Sequence, residues 1–504
     1  EEVRSATAAA LARIGMPLPP AGDAAPADGD GPRTVSQGKA GALSDKDAEK
    51  IADRLTQVAK TDPSARVRFH AVRAVVTLRG DGAADLLMDR LAADADVGVR
   101  EEAATILGKR RIAAAAAPLV KALEDDAWEV AVCAAVSLGA LRDPKGLGGL
   151  QEMLGEKDWR LRGGAVVGLG WIRQKPAIPL LIDALRDKEP AVSATALEFL
   201  RHISGEAFDG KTKAWRDWWS QWEERFQFRD ADAEARDAKK YGYAVVPAKV
   251  YEDMDIVVLQ TRRGGDNIQA LLEDYGIEHR IVRAASVMKV GLHPYALFVA
   301  NCPGEITDKD VERIQWYVRS GGYLFSSCWA LTHTVRKAFP GVVQQWKTRA
   351  QVLDTVLAEQ CPSDSPLIAG VFDGVTQPLY ALEGSHLIEV LDPERFEVLI
   401  DSPDCASRWG EGNLAGWFTL GHGLILDSAN HFDMQGMVRA DVKSEKDRMA
   451  FALDHLGYDY DELRKLAGEG VFAKQPLAIK RTRDLSTFRF ITTFVRQKRI
   501  ADGG

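Results

Sequence analysis

The chain is poor in cysteine, and its few cysteines form no motif. Five cysteines stand far apart among 504 residues, and no C-x-x-C pair occurs. This scatter argues against a disulfide framework and against a dense zinc-binding motif. The patterns G-x-x-x-x-G-K-[ST], G-x-G-x-x-G and H-E-x-x-H, which bind phosphates, dinucleotides and catalytic zinc, are also missing. We therefore expect no bound metal and no cofactor.

Long apolar runs are missing too. No stretch approaches the ~20 consecutive apolar residues that a membrane-spanning helix needs, so we expect no membrane span. The chain begins at Glu1, without the basic and then apolar segments of a signal peptide. We interpret its N-terminus as truncated or processed, with the bacterial cytoplasm and periplasm as open alternatives. The net charge of -8 disfavours nucleic acid as a partner.

The first half of the chain contains a repeat of about 31 residues. Aliphatic residues open five units, spaced by 32, 31, 31 and 31 residues, at Val67, Val99, Val130, Leu161 and Val192. A second aliphatic residue follows eight positions later in each unit, at Val75, Leu107, Leu138, Leu169 and Leu200. One helical hairpin cannot bury its apolar stripe alone, so a fixed period predicts stacked hairpins that share a core.

Each unit opens with a similar short pattern, such as V-R-E-E-A-A-T-I-L-G over residues 99–108. Arginine occupies the second position of three units, at Arg68, Arg100 and Arg162. Glycine follows the last leucine of the first helix in three units, at Gly108, Gly139 and Gly170. Because glycine tolerates a left-handed backbone, we expect these glycines to cap their helices.

This pattern resembles the HEAT repeat, in its short bacterial form V-R-x-x-A-A-x-x-L-G. The resemblance spans residues 48–226, and residues 1–16 resemble one further, partial unit. HEAT arrays are α-solenoids that act as scaffolds, so the resemblance implies a protein partner on the solenoid. Residues 17–47 are rich in Pro, Ala, Gly and Asp, and we interpret them as a flexible linker.

Four tryptophans close the repeat region. They lie at helical spacing on one face, at Trp215, Trp218, Trp219 and Trp222. They could form an aromatic binding stripe, or a capping helix that seals the core of the last repeat. We favour the capping helix, because a solenoid needs a covered end.

The helical repeat pattern ends at a charged linker, residues 227–249, and a different pattern of apolar residues follows it. Strands are predicted at 255–260, 280–282, 296–300, 323–327 and 423–428, and helices at 268–275, 308–318 and 444–456. Such alternation predicts a doubly wound α/β domain over residues 250–460, with a mostly parallel sheet between two layers of helices. Ligands of such sheets bind beyond the carboxyl ends of the strands.

Three loops leave predicted strands at this edge. Pro303 and Gly304 follow the third strand, Cys328 follows the fourth, and His431 and Asp433 follow a late strand. This order resembles the class I glutamine amidotransferase-like fold, and most of all its divergent, trehalose-utilisation-type members. In that family a Pro-Gly loop helps to form the oxyanion hole, and a cysteine, a histidine and a glutamate form the catalytic triad. The resemblance implies Cys328 as nucleophile, His431 as base and Asp433 as the carboxylate that orients it.

The surroundings of Cys328 depart from that pattern. A nucleophile elbow usually has glycine on both sides, but here two serines precede Cys328, and Trp329 and Ala330 follow it. Trp329 would fill space that a substrate needs, and Asp433 replaces the glutamate of the family. We therefore expect a protein-interaction scaffold or assembly component with a non-catalytic amidotransferase-like domain. The alternative is a cysteine-dependent amide or peptide hydrolase that uses the three triad positions.

Two further residues near the late strand are candidates for a function. His422 lies between two glycines, and we interpret it as a turn residue. Asp427 could join His431 and Asp433 as a metal ligand, but their spacing matches no common metal motif, so we expect no metal there.

The C-terminal arm, residues 461–504, is basic. From residue 474 onward it has eight Lys or Arg and two Asp, interleaved with phenylalanines. It could bind an acidic partner or nucleic acid, or pack as an extended strand on its own domain or on a neighbouring subunit. We favour packing, because the apolar residues need burial. An arm packed on a neighbour would make the protein a homo- or hetero-oligomer.

Overall fold

A computed structural model of the protein has a repeat module, residues 44–228, followed by a sheet module, residues 254–501. The described residues are 44–228, 254–260, 266–274, 277–283, 287, 289–346, 352–363, 365–369, 371–372, 379–431, 464 and 488–501. Among them, no helix is both long enough and apolar enough to cross a membrane. The partial unit at 1–16, nearly all of the linkers at 17–47 and 227–249, the helix at 444–456 and Asp433 fall outside these ranges.

The repeat module is a stack of helix pairs. Its helices are α1 (Asp45–Thr61), α2 (Ala65–Arg79), α3 (Ala84–Ala93), α4 (Val97–Lys109), α5 (Ala116–Ala122), α6 (Trp128–Leu141), α7 (Gly146–Met153), α8 (Trp159–Trp171), α9 (Ala177–Ala184), α10 (Pro190–Ser204) and α11 (Thr212–Trp222). Ser64 and Asp96 start α2 and α4 by accepting a backbone N–H with their side chains. The helices α2, α4, α6, α8 and α10 pack side by side as the first-helix row, and α3, α5, α7 and α9 form the second-helix row.

The repeated aliphatic positions form the core of this module, as predicted. Nine of the ten are buried, and Leu161 is half-buried. Leu107 and Leu138 are completely excluded from solvent, and Leu169 is 1% exposed. The period of the sequence therefore reflects a continuous core shared by adjacent units.

The three repeated glycines do not cap their helices, so that expectation was wrong. The left-handed residues stand three positions later, with φ of 52, 58 and 54°, at Arg111, Arg142 and Arg173. A Cβ on Gly108 would come within 2.4 Å of the Cβ of Ser137, and one on Gly139 within 2.6 Å of the carbonyl oxygen of Gly168. The glycines lie inside the helices because adjacent first helices approach too closely for a side chain.

The recurring arginines tie the two helices of a unit together. Each donates two hydrogen bonds to an aspartate just after the second helix, in the pairs Arg68–Asp94, Arg100–Asp125 and Arg162–Asp187. A third nitrogen of Arg100 donates to the carbonyl oxygen of Asp94, 2.9 Å away, in the loop before its own helix. Burial would raise the pKa of Asp125, but the hydrogen bonds from Arg100 hold it below its ordinary value.

The tryptophan helix α11 seals the end of the stack. Trp215, Trp218 and Trp219 are 0%, 7% and 6% exposed, whereas Trp222 is 49% exposed. Helix α11 packs on α9 of the last complete pair. These contacts bury three of the four tryptophans at the end of the stack and leave Trp222 exposed to solvent.

The sheet module contains twelve strands among its described residues. They are β1 (Ile256–Leu259), β2 (Arg280–Val282), β3 (Leu297–Ala300), β4 (Tyr323–Ser327), β5 (Val343–Gln345), β6 (Val352–Leu357), β7 (Glu359–Gln360), β8 (Leu379–Ser385), β9 (Ile388–Val390), β10 (Glu397–Asp401), β11 (Ala415–Leu420) and β12 (Gly423–Ser428). Its helices are α12 (Ile268–Asp274), α13 (Asp308–Arg319), α14 (Arg336–Ala338), α15 (Pro403–Trp409) and α16 (Phe488–Ala501), and a π-helical turn, Leu331–Val335, leads into α14.

Eight strands form the main sheet, in the order β2-β1-β3-β4-β12-β11-β10-β7. The first five are parallel, and the last three are antiparallel. The predicted strands correspond to β1 to β4 and β12, and the fold class is confirmed. Because β3, β4 and β12 are parallel neighbours, the loops that follow them emerge side by side at one edge.

The described part of the C-terminal arm is a helix, so the expectation of an extended strand was wrong. Helix α16 packs on its own sheet. The ring centroid of Phe494 lies 5.6 Å from that of Tyr323 and 5.8 Å from that of Phe325. Lys498 is buried, with its ammonium group 5.3 Å from the ring centroid of Tyr323. Apolar residues on one helix face achieve the burial that was expected of a strand.

The first-helix row packs against the sheet module. Polar contacts cross this module interface from each unit in turn, in the pairs His70–Asp392, Glu101–Arg319, Ser137–His422, Arg160–Trp316 and Glu189–Arg313. Helix α13 lies across α8, where a Cβ on Gly163 would come 2.5 Å from the indole of Trp316. One buried cluster of apolar residues extends through both modules. The sheet module thus covers the face that the first helices present.

Candidate functional site

Cys328 occupies a sharp turn directly after β4. Its φ is 49°, a left-handed conformation that side chains other than glycine seldom adopt. Its N–H donates to the carbonyl oxygen of Ser428, 2.7 Å away, which ties the turn to the end of β12. The carbonyl oxygen of Cys328 accepts from the N–H of Leu331, so a helical turn starts at once. This backbone has the form of a nucleophile elbow, although serine and alanine replace the usual glycines.

The Pro303–Gly304 loop lies against this elbow. Gly304 has a φ of 65°, and a Cβ there would come 2.4 Å from the Cβ of Ala330. The hydroxyl of Thr334 donates to the carbonyl oxygen of Gly304 at 2.5 Å. Alanine fits after the elbow because the facing residue is glycine. The structure therefore brings the predicted oxyanion loop beside Cys328.

Two cysteines and a histidine meet at this edge of the sheet. The sulfur atoms of Cys302 and Cys328 and a ring nitrogen of His431 all lie within 4.8 Å of one another. All three side chains are buried. The order of loops along the chain pairs Cys328 with His431 but leaves Cys302 out of the predicted site. The signal that could have included Cys302 is its place directly before Pro303, at the end of a strand that neighbours β4 in the sheet.

The electrostatics of the two thiols differ. Hydrogen bonds from the Cys328 thiol and the His431 ring hold the pKa of the Cys302 thiol well below its usual range, although burial opposes them. Burial, together with the adjacent Cys302 sulfur, raises the pKa of the Cys328 thiol well above its usual range. The backbone N–H of Trp329, where an oxyanion would be stabilised, also lowers the pKa of the Cys302 thiol. Negative charge is thus favoured on Cys302, whereas a nucleophile at the elbow would need it on Cys328.

Trp329 covers the elbow. Its indole N–H donates to the carbonyl oxygen of Gly384 at 2.8 Å, and its ring packs edge-on against His386 with centroids 4.1 Å apart. The sulfur of Cys328 lies 3.9 Å from the same carbonyl oxygen and is 0% exposed. The thiol of Cys328 is therefore closed to solvent in this arrangement.

The two other candidates lie away from this cluster. His422 is in a turn, as interpreted, but its ring enters the module interface, with Nε2 2.9 Å from the hydroxyl of Ser137 and 3.3 Å from the carbonyl oxygen of Cys133. Burial lowers the pKa of His422 to about 3. Asp427 is buried on β12, and burial raises its pKa to about 7. Neither belongs to the group of potential metal ligands found among the described residues.

Solved structures similar to this chain include two glutamine amidotransferases and a phycocyanin lyase complex. A glutamine amidotransferase from Thermotoga maritima shares 8% identity over 49% of this chain and 98% of that chain, with a TM-score of 0.31. One from Methylobacillus flagellatus shares 11% identity over 48% and 94%, with a TM-score of 0.28. The complex of CpcE and CpcF of phycocyanin lyase from Nostoc sp. shares 21% identity over 35% and 71%, with a TM-score of 0.28.

No curated protein matches the chain. The family model for HEAT repeats matches it three times, at residues 29–108, 84–170 and 149–209. These matches include the helix pairs of the repeat module described above. The N-terminal part of the chain therefore carries HEAT repeats, followed by a mostly parallel α/β sheet that has glutamine amidotransferases among its structural neighbours.

Proposed function

We propose that the protein is an interaction scaffold or assembly component whose HEAT repeats hold a catalytically silent, amidotransferase-like sheet. The observation that carries this proposal is the closed state of the elbow. Cys328 is completely buried, and the indole of Trp329 is hydrogen-bonded to the carbonyl oxygen of Gly384, which also lies 3.9 Å from the sulfur of Cys328. Acyl-transfer chemistry needs an accessible thiolate, and burial raises the pKa of the Cys328 thiol well above its usual range.

The surface that remains for a partner is the second-helix row. The first-helix row is covered by the sheet module, whereas charged residues of the second helices are exposed at Asp85, Lys121, Glu152 and Asp183. HEAT arrays offer extended surfaces of this kind to protein partners. We infer that a protein partner would contact this row, and that the sheet module fixes its curvature.

A thiol-labelling experiment tests whether the elbow is silent. The full chain is treated with iodoacetamide at neutral pH, and the modified cysteines are identified by mass spectrometry. We expect the half-buried Cys361 to react before Cys328, with all five cysteines reacting in urea as the control. Labelling of Cys328 ahead of Cys361 in the folded protein would disprove the non-catalytic proposal.

That outcome would support the alternative, a cysteine-dependent amide or peptide hydrolase. Its favourable observations are the elbow at Cys328, the adjacent ring of His431 and the neighbouring Pro303–Gly304 loop. Asp433 would orient His431 in this mechanism. The hydrolase would require Trp329 and Cys302 to move away before each reaction.

A second experiment tests the interaction surface. The full chain serves as bait in a pull-down. A second bait, the row variant, has the charges of four residues of the second-helix row reversed, at Asp85, Lys121, Glu152 and Asp183. The control reverses Lys211 and Lys213, which are also exposed and lie at the start of the capping helix. We expect a partner that binds the wild type and the control but not the row variant. A partner bound equally by all three proteins, or no partner at all, would contradict the proposed surface.

A further inference from the structure

The cluster of Cys302, Cys328 and His431 has the composition of a metal site. Its members come from three separate loops, so no continuous sequence motif indicates the site. In a tetrahedral zinc site with two thiolates, the sulfur atoms lie about 3.8 Å apart, given Zn–S bonds of about 2.3 Å. The three potential ligand atoms here lie within 4.8 Å of one another. Binding an ion would bring each of these atoms to about 2.0–2.3 Å from it.

Hydrogen-bond donors lie near both sulfur atoms. They are the backbone N–H of Trp329 beside Cys302, and the backbone N–H of His386 and the hydroxyl of Ser385 beside Cys328. Ser385 is 0% exposed, and its hydroxyl has no well-formed hydrogen bond to any described residue. Donors of this kind orient and stabilise metal-bound thiolates.

His386 supplies a second independent observation. Its side chain is 5% exposed, and its Nε2 is buried without a hydrogen-bond partner in the described part of the chain. Its ring packs edge-on against Trp329, the residue that follows Cys328. A buried imidazole nitrogen without a partner is costly unless something binds it. His386 therefore offers a further nitrogen ligand next to Trp329.

We propose that Cys302, Cys328 and His431 bind a thiophilic divalent cation such as Zn²⁺. Each thiol releases its proton to solvent on binding, and His431 coordinates through one neutral ring nitrogen. Three protein ligands leave a fourth position for water or for His386. Cys328 is then a ligand and not a nucleophile, which gives Cys302 a role that amide hydrolysis does not need. The proposal does not depend on the scaffold function, since a scaffold without metal is equally able to bind a partner.

Cobalt is the probe for the test, because Co²⁺ bound to thiolates absorbs in the near ultraviolet and the visible. The full chain is reduced, freed of metal with a chelator and titrated with Co²⁺ and then Zn²⁺. We expect one Co²⁺ per chain, with a thiolate-to-cobalt band that Zn²⁺ abolishes. Cys302→Ser and Cys328→Ser should each weaken binding by at least about 100-fold, and Ser385→Ala by about 10-fold. Cys405→Ser, which removes another buried cysteine, should bind as the wild type does.

A second measurement needs no variant and so does not depend on the variants folding. Zn²⁺ should protect Cys302 and Cys328 of the wild type from a small thiol reagent under mild urea, while Cys361 and Cys405 stay as reactive as before. Absence of the cobalt band, a band that survives in the Cys302→Ser and Cys328→Ser variants, or equal reactivity with and without Zn²⁺ would each overturn the proposal.

Discussion

His422 illustrates how a residue in a turn acquires its role from a distant part of the chain. Two flanking glycines indicated a turn, and the structure has one there. The ring nevertheless reaches Ser137 and Cys133 on α6, more than 280 positions earlier in the sequence. It is buried as a neutral imidazole, close to the ammonium group of Lys109, which also disfavours its protonation.

Lowering the pH should therefore reduce the stability of the folded protein, because His422 takes up a proton when the chain unfolds. In the unfolded chain His422 takes up a proton near its ordinary pKa of about 6.5, whereas the folded pKa is about 3. Stability is thus lost as the pH falls from 6.5 toward 3. Between pH 7 and pH 4.5 we expect the free energy of unfolding to fall by about 2 kcal/mol more in the wild type than in His422→Gln. Urea unfolding at the two pH values measures this difference, and parallel losses would contradict it.

At the same scale, the site was partly predictable from the sequence. The order of Pro303, Gly304, Cys328 and His431 along alternating strands indicated which loops would meet, and the structure brings them together. Cys302 could not be assigned, because its partners are 26 and 129 positions away and only the strand order makes them neighbours.

Among elements, the first helices of the repeat combine two devices that recur with the period of the sequence. The arginine at their second position binds the aspartate after the second helix, and the glycine near their end admits the next helix. The sequence revealed both residue types at the right spacing. It did not distinguish a capping glycine from a packing glycine, because both positions follow a buried leucine near a helix end.

Removing one arginine of this series should cost more than removing an exposed one. We expect Arg100→Ala to lower the free energy of unfolding by about 2 kcal/mol, because Asp125 and the carbonyl oxygen of Asp94 lose charge-assisted hydrogen bonds. The control, Arg110→Ala, breaks an exposed pair with Asp81 and should cost less than about 1 kcal/mol. Chemical denaturation of both variants makes the comparison. Equal costs would show that the series adds no stability of its own.

Two glycine substitutions should change the stability of the folded protein in opposite directions. Gly163→Ala on α8 would press a methyl group against the indole of Trp316 and should destabilise the protein by about 1–3 kcal/mol. Gly148→Ala on α7 meets nothing within 4 Å, so the helix preference for alanine should stabilise it by about 0.5–1 kcal/mol. Thermal unfolding followed by circular dichroism gives both values. A stabilising Gly163→Ala would refute the close approach of α13 to the repeats.

The elements of the sheet were predicted unevenly. The parallel strands β1 to β4 and β12 are short apolar runs between turn residues, and the sequence marks them clearly. The strands from β5 to β11 range from two to seven residues, and several carry polar, partly exposed residues, so no period identifies them. The segment that forms helix α16 was predicted to be a strand because its phenylalanines alternate with basic residues. The same apolar residues also fit the spacing of one helix face, which is the conformation that the structure has.

At the scale of the molecule, the two modules share a single interface. Each of the five units contributes a polar contact, from His70 near one end to Glu189 near the other. Contacts such as Glu101–Arg319 are buried and would be left unsatisfied if the modules separated. The sequence predicted both modules but not their docking, since none of these residues forms a motif with its partner.

The modules should therefore unfold together. We expect one calorimetric transition for the full chain, and for a fragment of residues 44–228 a midpoint lower by several degrees, because its covered face becomes exposed. Calorimetry of both proteins at equal concentration is the measurement. Two separate transitions in the full chain, the first matching the fragment, would show that the interface adds no cooperativity.

The five contact points also restrict how this array can evolve. Most solenoids lengthen or shorten by duplicating or deleting a unit, because each unit touches only its neighbours. Here an additional unit between His70 and Glu189 would shift every later contact by the height of one helix pair. If the unit were inserted directly after the first, Glu101, Ser137 and Arg160 would all face the wrong groups on the sheet. We therefore expect homologues that retain the sheet to keep a constant number of units in this stretch, with insertions in the loops between helices.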